Sequence, residues 1–127
     1  MSLTVTLRPI SERAAKAVAD DVAIADALTA GNIAAPLAKE DILDARIVSY
    51  VGLEALGLAW IFEAGKAIGS EQKHGHARLL DASDADRALM AVRDVTWSGG
   101  DDVRDELEKT FAFAVDKNAF VVVSLSE

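Results

Sequence analysis

Both ends of the chain carry hydrophobic patterns that predict β-strands. From Leu3 to Leu7, apolar and polar residues alternate with a period of two, which predicts a strand with one buried face that stops at Pro9. Residues 119–125 form a nearly continuous, β-branched apolar run, which is typical of a strand buried on both faces. We therefore expect the C-terminal strand in the centre of a sheet, because an exposed edge of this composition would promote aggregation.

Helical spacing of apolar residues marks the regions between these strands. Ser11 is predicted to cap a helix that runs to about Ala30, and the adjacent acids Asp20 and Asp21 mark a potential break into two shorter helices. A later helix is predicted after Asp81, which serves as its cap.

The most apolar region, about residues 39–65, has helical spacing on more than one side. This pattern predicts a buried central helix, with a main stripe of Leu43, Ile47, Tyr50, Val51, Leu58, Ile61 and Phe62. Glycine costs about 1 kcal/mol relative to alanine inside a helix. At Gly52 and Gly57, therefore, either a neighbouring element approaches closely or the helix breaks.

The remaining segments complete the expected fold. Residues 66–68 read as a loop or a short strand, residues 76–80 as extended chain, and residues 101–116 as a last helix that Asn118 ends. Together these elements predict an α+β fold in one compact domain over residues 1–127. The predicted sheet is small and mixed, includes the N- and C-terminal strands, and packs against three to five helices.

Composition narrows the classes of function. The 127 residues include no cysteine, which excludes disulfides and thiol catalysis. A formal net charge of -8 repels nucleic acid and favours a basic protein partner. Residues 47–62 are too short an apolar run to span a membrane, and no signal peptide is recognisable, so we expect a cytoplasmic protein without membrane contact. The oligomeric state stays open.

One segment, residues 74–84, resembles a known family. It is similar to the YfbM-like family of uncharacterised bacterial proteins, in which Gly-aromatic-Gly-Pro-Ala-Arg-aromatic-Leu leads into a helix opening Thr-Pro-Glu-Glu. The matching positions here are Gly75, Ala77, Arg78 and Leu80, while His76 replaces the proline and Asp81 replaces the capping threonine.

Two further stretches, residues 8–12 and 113–125, look like the start and end of that family. The family's Asp-Lys-x-Trp-His-type stretch is absent, because residues 42–50 read differently here. The resemblance implies a compact α+β domain with a small sheet, and it implies no established activity.

The two histidines are the first candidates for chemistry. On a strand, His74 and His76 would point to the same side and could share a metal, with Glu71 or Asp81 as a third ligand. The alternative is that both are polar residues of a surface loop. Because the chain has no further histidine and no cysteine, we predict no metal and no cofactor.

Arg78 is the second candidate, since it lies between Ala77 and Leu79. An arginine in an apolar strand must find a partner. It either binds the anionic group of a ligand or forms a structural ion pair with an acid such as Glu54.

Two hypotheses for function follow, since the chain lacks a nucleophile elbow, a phosphate-binding loop and a dinucleotide fingerprint. The first is a non-enzymatic protein-interaction or accessory domain, for example of the immunity type. Its predicted interaction surface consists of Trp97, Asp101, Asp102 and Asp105. The alternative is a small-molecule-binding or hydrolytic enzyme with a site at His74, His76 and Arg78.

Overall fold

The computed structural model describes residues 3–34, 37–94 and 101–126. The strands of this part are β1 (Thr4–Ile10), β2 (Arg46–Ser49), β3 (Lys66–Gln72), β4 (Gly75–Leu80) and β5 (Phe120–Ser126). The α-helices are α1 (Glu12–Asp20), α2 (Val22–Thr29), α3 (Tyr50–Ala55), α4 (Ala82–Asp94) and α5 (Asp101–Lys117). Short 3₁₀ segments lie at Lys39–Asp41 and Ala59–Phe62.

The five strands form one sheet in the order β2-β1-β5-β4-β3, which confirms the α+β class and a sheet that includes both terminal strands. Every strand pair is antiparallel, whereas the sequence had predicted a mixed sheet. The connections explain this difference. Two helices separate β4 from β5, and two separate β1 from β2, so the chain re-enters the sheet at the end where it left.

Helices cover the sheet on both faces. On one face α3, α4 and α5 enclose a core centred on Phe111. On the other face α1 and α2 enclose a second core that contains Val18 and Leu28. Alternate residues of β5 enter different cores, Val121 and Val123 the first and Val122 the second. The prediction that the C-terminal strand is central and buried on both faces is therefore confirmed.

The predicted helix ends are confirmed by their hydrogen bonds. The Ser11 hydroxyl accepts from the Ala14 amide at 3.1 Å, and Asp21 separates α1 from α2 while capping the second. The Asp81 carboxylate accepts from the Asp84 amide at 2.8 Å. Asn118 has a φ of 52°, the left-handed conformation expected after α5.

The predicted central helix over residues 39–65 is wrong. The region instead forms β2, the short helix α3 and two 3₁₀ segments. Gly57 ends the helical part with a φ of +74°, while at Gly52 an added Cβ would lie 2.9 Å from the Val103 side chain of α5. Both glycine alternatives therefore occur. Ile47, expected inside, is 67% exposed because β2 pairs with β1 and turns this side chain away from the core.

The prediction that Pro9 stops the first strand is also wrong. Pro9 pairs with Val121 of β5, and its carbonyl accepts from the Leu43 amide at 3.0 Å. A residue's amide and carbonyl point to the same side of a strand. The side of Pro9 that lacks an N–H therefore faces β2. The last pair between β1 and β2 is Leu7 with Arg46, so β2 does not extend to Pro9 and needs no hydrogen bond from it.

Candidate functional site

The two histidines lie near each other in sequence but do not form a metal pair. His74 occupies the turn between β3 and β4, whereas His76 lies on β4 with its Nδ1 3.1 Å from the Gly69 carbonyl oxygen. Asp81, one of the proposed third ligands, caps α4 at the opposite end of β4. Within residues 3–34, 37–94 and 101–126, no group of three or more histidine or acidic side chains could hold a metal ion.

Arg78 is bound to backbone carbonyls. Its Nε donates to the Ala64 oxygen at 2.9 Å, and its Nη2 donates to the Gly65 oxygen at 3.1 Å and the Glu63 oxygen at 3.3 Å. Glu54, the acid suggested as its partner, is exposed on α3. The guanidinium therefore holds the loop of residues 63–65 against β4, and this is neither of the two roles that the sequence suggested.

A groove lies where α2, the β3–β4 turn and the end of β5 meet. Its volume is about 530 Å³. We call it the hairpin groove, and its lining residues are Asp26, Thr29, Ala30, Ser70, Gln72, Lys73, His74, Leu125 and Ser126. His74 is the one member of the predicted His74, His76 and Arg78 site that lines it.

Asp26 is the most constrained polar residue of the hairpin groove. Its carboxylate accepts from the Ser70 amide at 2.8 Å and from the Ser70 hydroxyl at 2.6 Å. These two hydrogen bonds, with a smaller contribution from the charge of His76, hold the pKa of Asp26 below its usual value. Asp26 is therefore a fixed and ionised carboxylate at neutral pH.

Sequence reasoning missed the pair of Asp26 and Ser70 because 44 positions separate the two residues. One local signal was present. Gly69 has a φ of +72°, and an added Cβ would lie 2.6 Å from Asp26 Oδ1. A glycine in the middle of a strand often marks such a close approach.

Acid is expected to weaken this contact. A carboxylate whose pKa is lower in the folded than in the unfolded protein stabilises the fold. This stabilisation is complete above the unfolded pKa of about 3.9, and it is lost as the pH falls through the folded pKa. In urea titrations between about pH 5 and pH 2, the unfolding free energy of the wild type should fall more steeply than that of Asp26→Asn. The variant should be the less stable protein at neutral pH, and the two curves should converge in acid.

Asp41 provides the background for that measurement. Its pKa is also lowered, mainly by hydrogen bonds from the Ala38 amide and the Ser11 hydroxyl, and it is present in both proteins. Parallel curves for the wild type and Asp26→Asn would show that Asp26 contributes nothing to the acid sensitivity.

The β2 strand forms one edge of the sheet and carries exposed apolar side chains. Ile47 on β2 is 67% exposed, and Val51, in the first turn of α3, is 74% exposed. Monomeric proteins commonly protect sheet edges with bulges and charges. The opposite edge, β3, has a register shift between Ile68 and Gln72, whereas the β2 pairing is regular over its four residues.

The acidic half of α5 lies beside this edge. Arg46 of β2 donates to Glu106 of α5 at 2.8 Å, so this part of α5 lies next to β2. Asp105 is exposed, and Asp101 and Asp102 belong to the first turn of the same helix. Trp97, the fourth predicted member of this surface, lies outside the described residues.

Two cavities of about 360 Å³ and 320 Å³ continue from β2 towards the C-terminal end of α5. Both are lined by Leu43 and Phe113, so we treat them as one edge groove. Its apolar lining also includes Pro9 and Ile10, and its charged lining includes Glu12, Glu40, Asp41, Asp44, Arg46, Lys109 and Lys117. The edge groove thus adds side-chain pockets to the exposed strand.

No helix in the described part of the chain has the length and hydrophobicity needed to cross a membrane. Comparison of the chain with protein-family models, curated proteins and solved structures finds no match.

Proposed function

We propose that this protein is a non-enzymatic interaction domain, an accessory or immunity-type protein, that binds an extended basic segment of a partner along β2. The observation that carries this proposal is the exposed edge of β2 with Ile47 and Val51. An extended segment added to a sheet edge gains main-chain hydrogen bonds from the strand and specificity from neighbouring side-chain pockets.

The two sheet edges differ in how well they are protected against such pairing. β3 has exposed charges at Lys66 and Glu71 and an irregular register near Gly69, whose φ is +72°. Each of these features opposes pairing with a further strand. On β2 the charge of Arg46 is already paired with Glu106, and Ile47 is left open to solvent. The β2 edge is therefore the better acceptor.

Charge favours a basic partner. Exposed acids lie around β2: Asp44 precedes it, Glu54 lies on α3 and Asp105 lies on α5. The whole chain carries a formal net charge of -8, which speeds encounter with a basic segment and disfavours nucleic acid. Basic side chains of the partner would meet these acids while its apolar side chains cover Ile47 and enter the edge groove.

The enzyme hypothesis has less support. Arg78 is occupied by three carbonyls, His76 is near the Gly69 carbonyl, and His74 alone lines a groove. The residues expected to form one catalytic site therefore point to different partners. A small-molecule-binding role remains for the hairpin groove and is independent of β2.

A binding measurement with a defined peptide tests the proposal. The probe is a short fluorescein-labelled peptide of alternating lysine and valine, followed by fluorescence anisotropy. We expect saturable binding that weakens with salt, weaker binding of the matched glutamate–valine peptide, and no binding when proline replaces alternate valines, because proline cannot donate to a strand.

The matched protein variants are Ile47→Lys and Met90→Lys. Both add one positive charge to an exposed apolar position, but Met90 lies on α4 away from the edge. Ile47→Lys should weaken binding at least about tenfold, or about 1.4 kcal/mol, whereas Met90→Lys should change it less than about threefold. Equal loss in both variants, or equal binding of the acidic peptide, would refute docking along β2.

A further inference from the structure

We infer that the hairpin groove is a binding site for a small zwitterion of the α-amino-acid class. The groove is separate from β2, since its walls come from α2, the β3–β4 turn and the end of β5. Its volume of about 530 Å³ lies within the range of small-molecule sites, roughly 300–1,000 Å³.

The wall formed by α2 is negative. Asp26 contributes a carboxylate that two hydrogen bonds from Ser70 hold in place. Thr29 and Ala30 lie at the C-terminal end of α2, where the helix dipole adds partial negative charge. An ionised carboxylate has about four acceptor positions, so Asp26 retains acceptor capacity for a ligand ammonium group.

The wall formed by the β3–β4 turn carries the positive charge of Lys73. Lys73 and His74 form the turn between β3 and β4 and line the same groove. Both also interact with other groups of the protein. A ligand carboxylate would bind at this wall while the ligand ammonium group binds at Asp26.

The charge pattern selects the ligand class. A simple anion would meet Asp26 and the net charge of -8, and a simple cation would meet Lys73. A ligand with both charges satisfies both walls. The half-buried Leu125 and the exposed Ala30 supply an apolar surface for a side chain, while Gln72 and Ser126 add polar lining at the rim. An amino acid with an aliphatic side chain has all three features.

Three matched ligands separate the contributions of the two charges. L-leucine carries both charges, N-acetyl-L-leucine lacks the ammonium group, and L-leucinamide lacks the carboxylate. Each is titrated into ¹⁵N-labelled protein while backbone amide resonances are recorded. We expect saturable shifts at Ala30, Ser70 and Lys73 with leucine, and at least tenfold weaker binding of both analogues.

Two pairs of variants locate the site. Asp26→Asn should weaken leucine binding at least tenfold, whereas Asp41→Asn, which alters another hydrogen-bonded carboxylate outside the groove, should change it less than twofold. Lys73→Met should weaken binding, and Lys66→Met, at the far end of β3, should not. The lysine pair keeps the test valid if Asp26→Asn impairs folding.

Several outcomes would overturn the inference. One is an absence of saturable shifts up to about 20 mM leucine, which is weaker than millimolar affinity. Another is equal binding of leucine and either analogue. Shifts confined to residues outside the groove would also overturn it. None of these results bears on the β2 edge, so the two proposals fail independently.

Discussion

Replacing Gly65 with alanine is expected to destabilise the protein by about 3 kcal/mol or more. Gly65 has a φ of +66°, and an added Cβ would lie 2.1 Å from the backbone oxygen of Leu79. The obstacle is the main chain of β4, which cannot rotate away as a flexible side chain would. The loop of residues 63–65 must therefore move away from β4, and the contacts of this loop with Arg78 move with it.

Gly57→Ala is the matched control. Gly57 has a similar φ of +74°, but no atom of the described residues lies within 4 Å of an added Cβ. Its cost should be limited to the left-handed conformation, about 1–2 kcal/mol. The difference between the two variants in urea or guanidinium denaturation then measures the close approach alone. Equal destabilisation by both substitutions would show that the packing against Leu79 adds nothing.

The features of the fold that could be predicted from sequence are those with local causes. Ser11 and Asp81 accept hydrogen bonds from amides three residues later, and Asn118 adopts the left-handed conformation that ends a helix. The continuous apolar run of β5 likewise predicted burial on both faces, because a strand covered by helices on each side has no polar face.

Residues 39–65 show why other parts could not be predicted. Helical spacing placed Ile47 and Val51 in one buried stripe, yet both are largely exposed. The structure of this region depends on pairing with β1, which lies about forty residues earlier in the chain. Short apolar runs are compatible with either a helix or a strand. Their conformation depends on long-range contacts, which the hydrophobic periodicity of the sequence does not reveal.

The candidate sites were only partly predictable for the same reason. The acidic residues of α5 were identified by composition, but the β2 edge beside them became evident only from the sheet order and the Arg46–Glu106 ion pair. The sequence singled out His74, which lines the hairpin groove, but it missed Asp26 because Ser70 reaches that residue from a distant strand. The type of a residue can suggest which ligand it binds, but partners that are remote in sequence determine where its side chain lies.

Arg78→Met is expected to destabilise the protein by about 2 kcal/mol, because it removes the donors and keeps an apolar stem. Hydrogen bonds from a charged donor are worth about 1.5–3 kcal/mol each, but solvent competes for those to Glu63 and Gly65, which are exposed. The part-buried bond to Ala64, at 2.9 Å, should therefore account for most of the effect.

Two further arginine variants separate geometry from charge. Arg78→Lys keeps the charge but not the planar fork that reaches three carbonyls, so it should recover less than half of the lost stability. Arg87→Met removes an exposed arginine that stacks 3.9 Å from the centre of the Trp60 ring, and it should cost no more than about 1 kcal/mol.

If Arg78→Met is as stable as the wild type in denaturant titrations, the carbonyl contacts contribute no net stability. In that case Arg78 becomes a candidate anion ligand again, and a wild-type melting temperature that rises with phosphate would support that role.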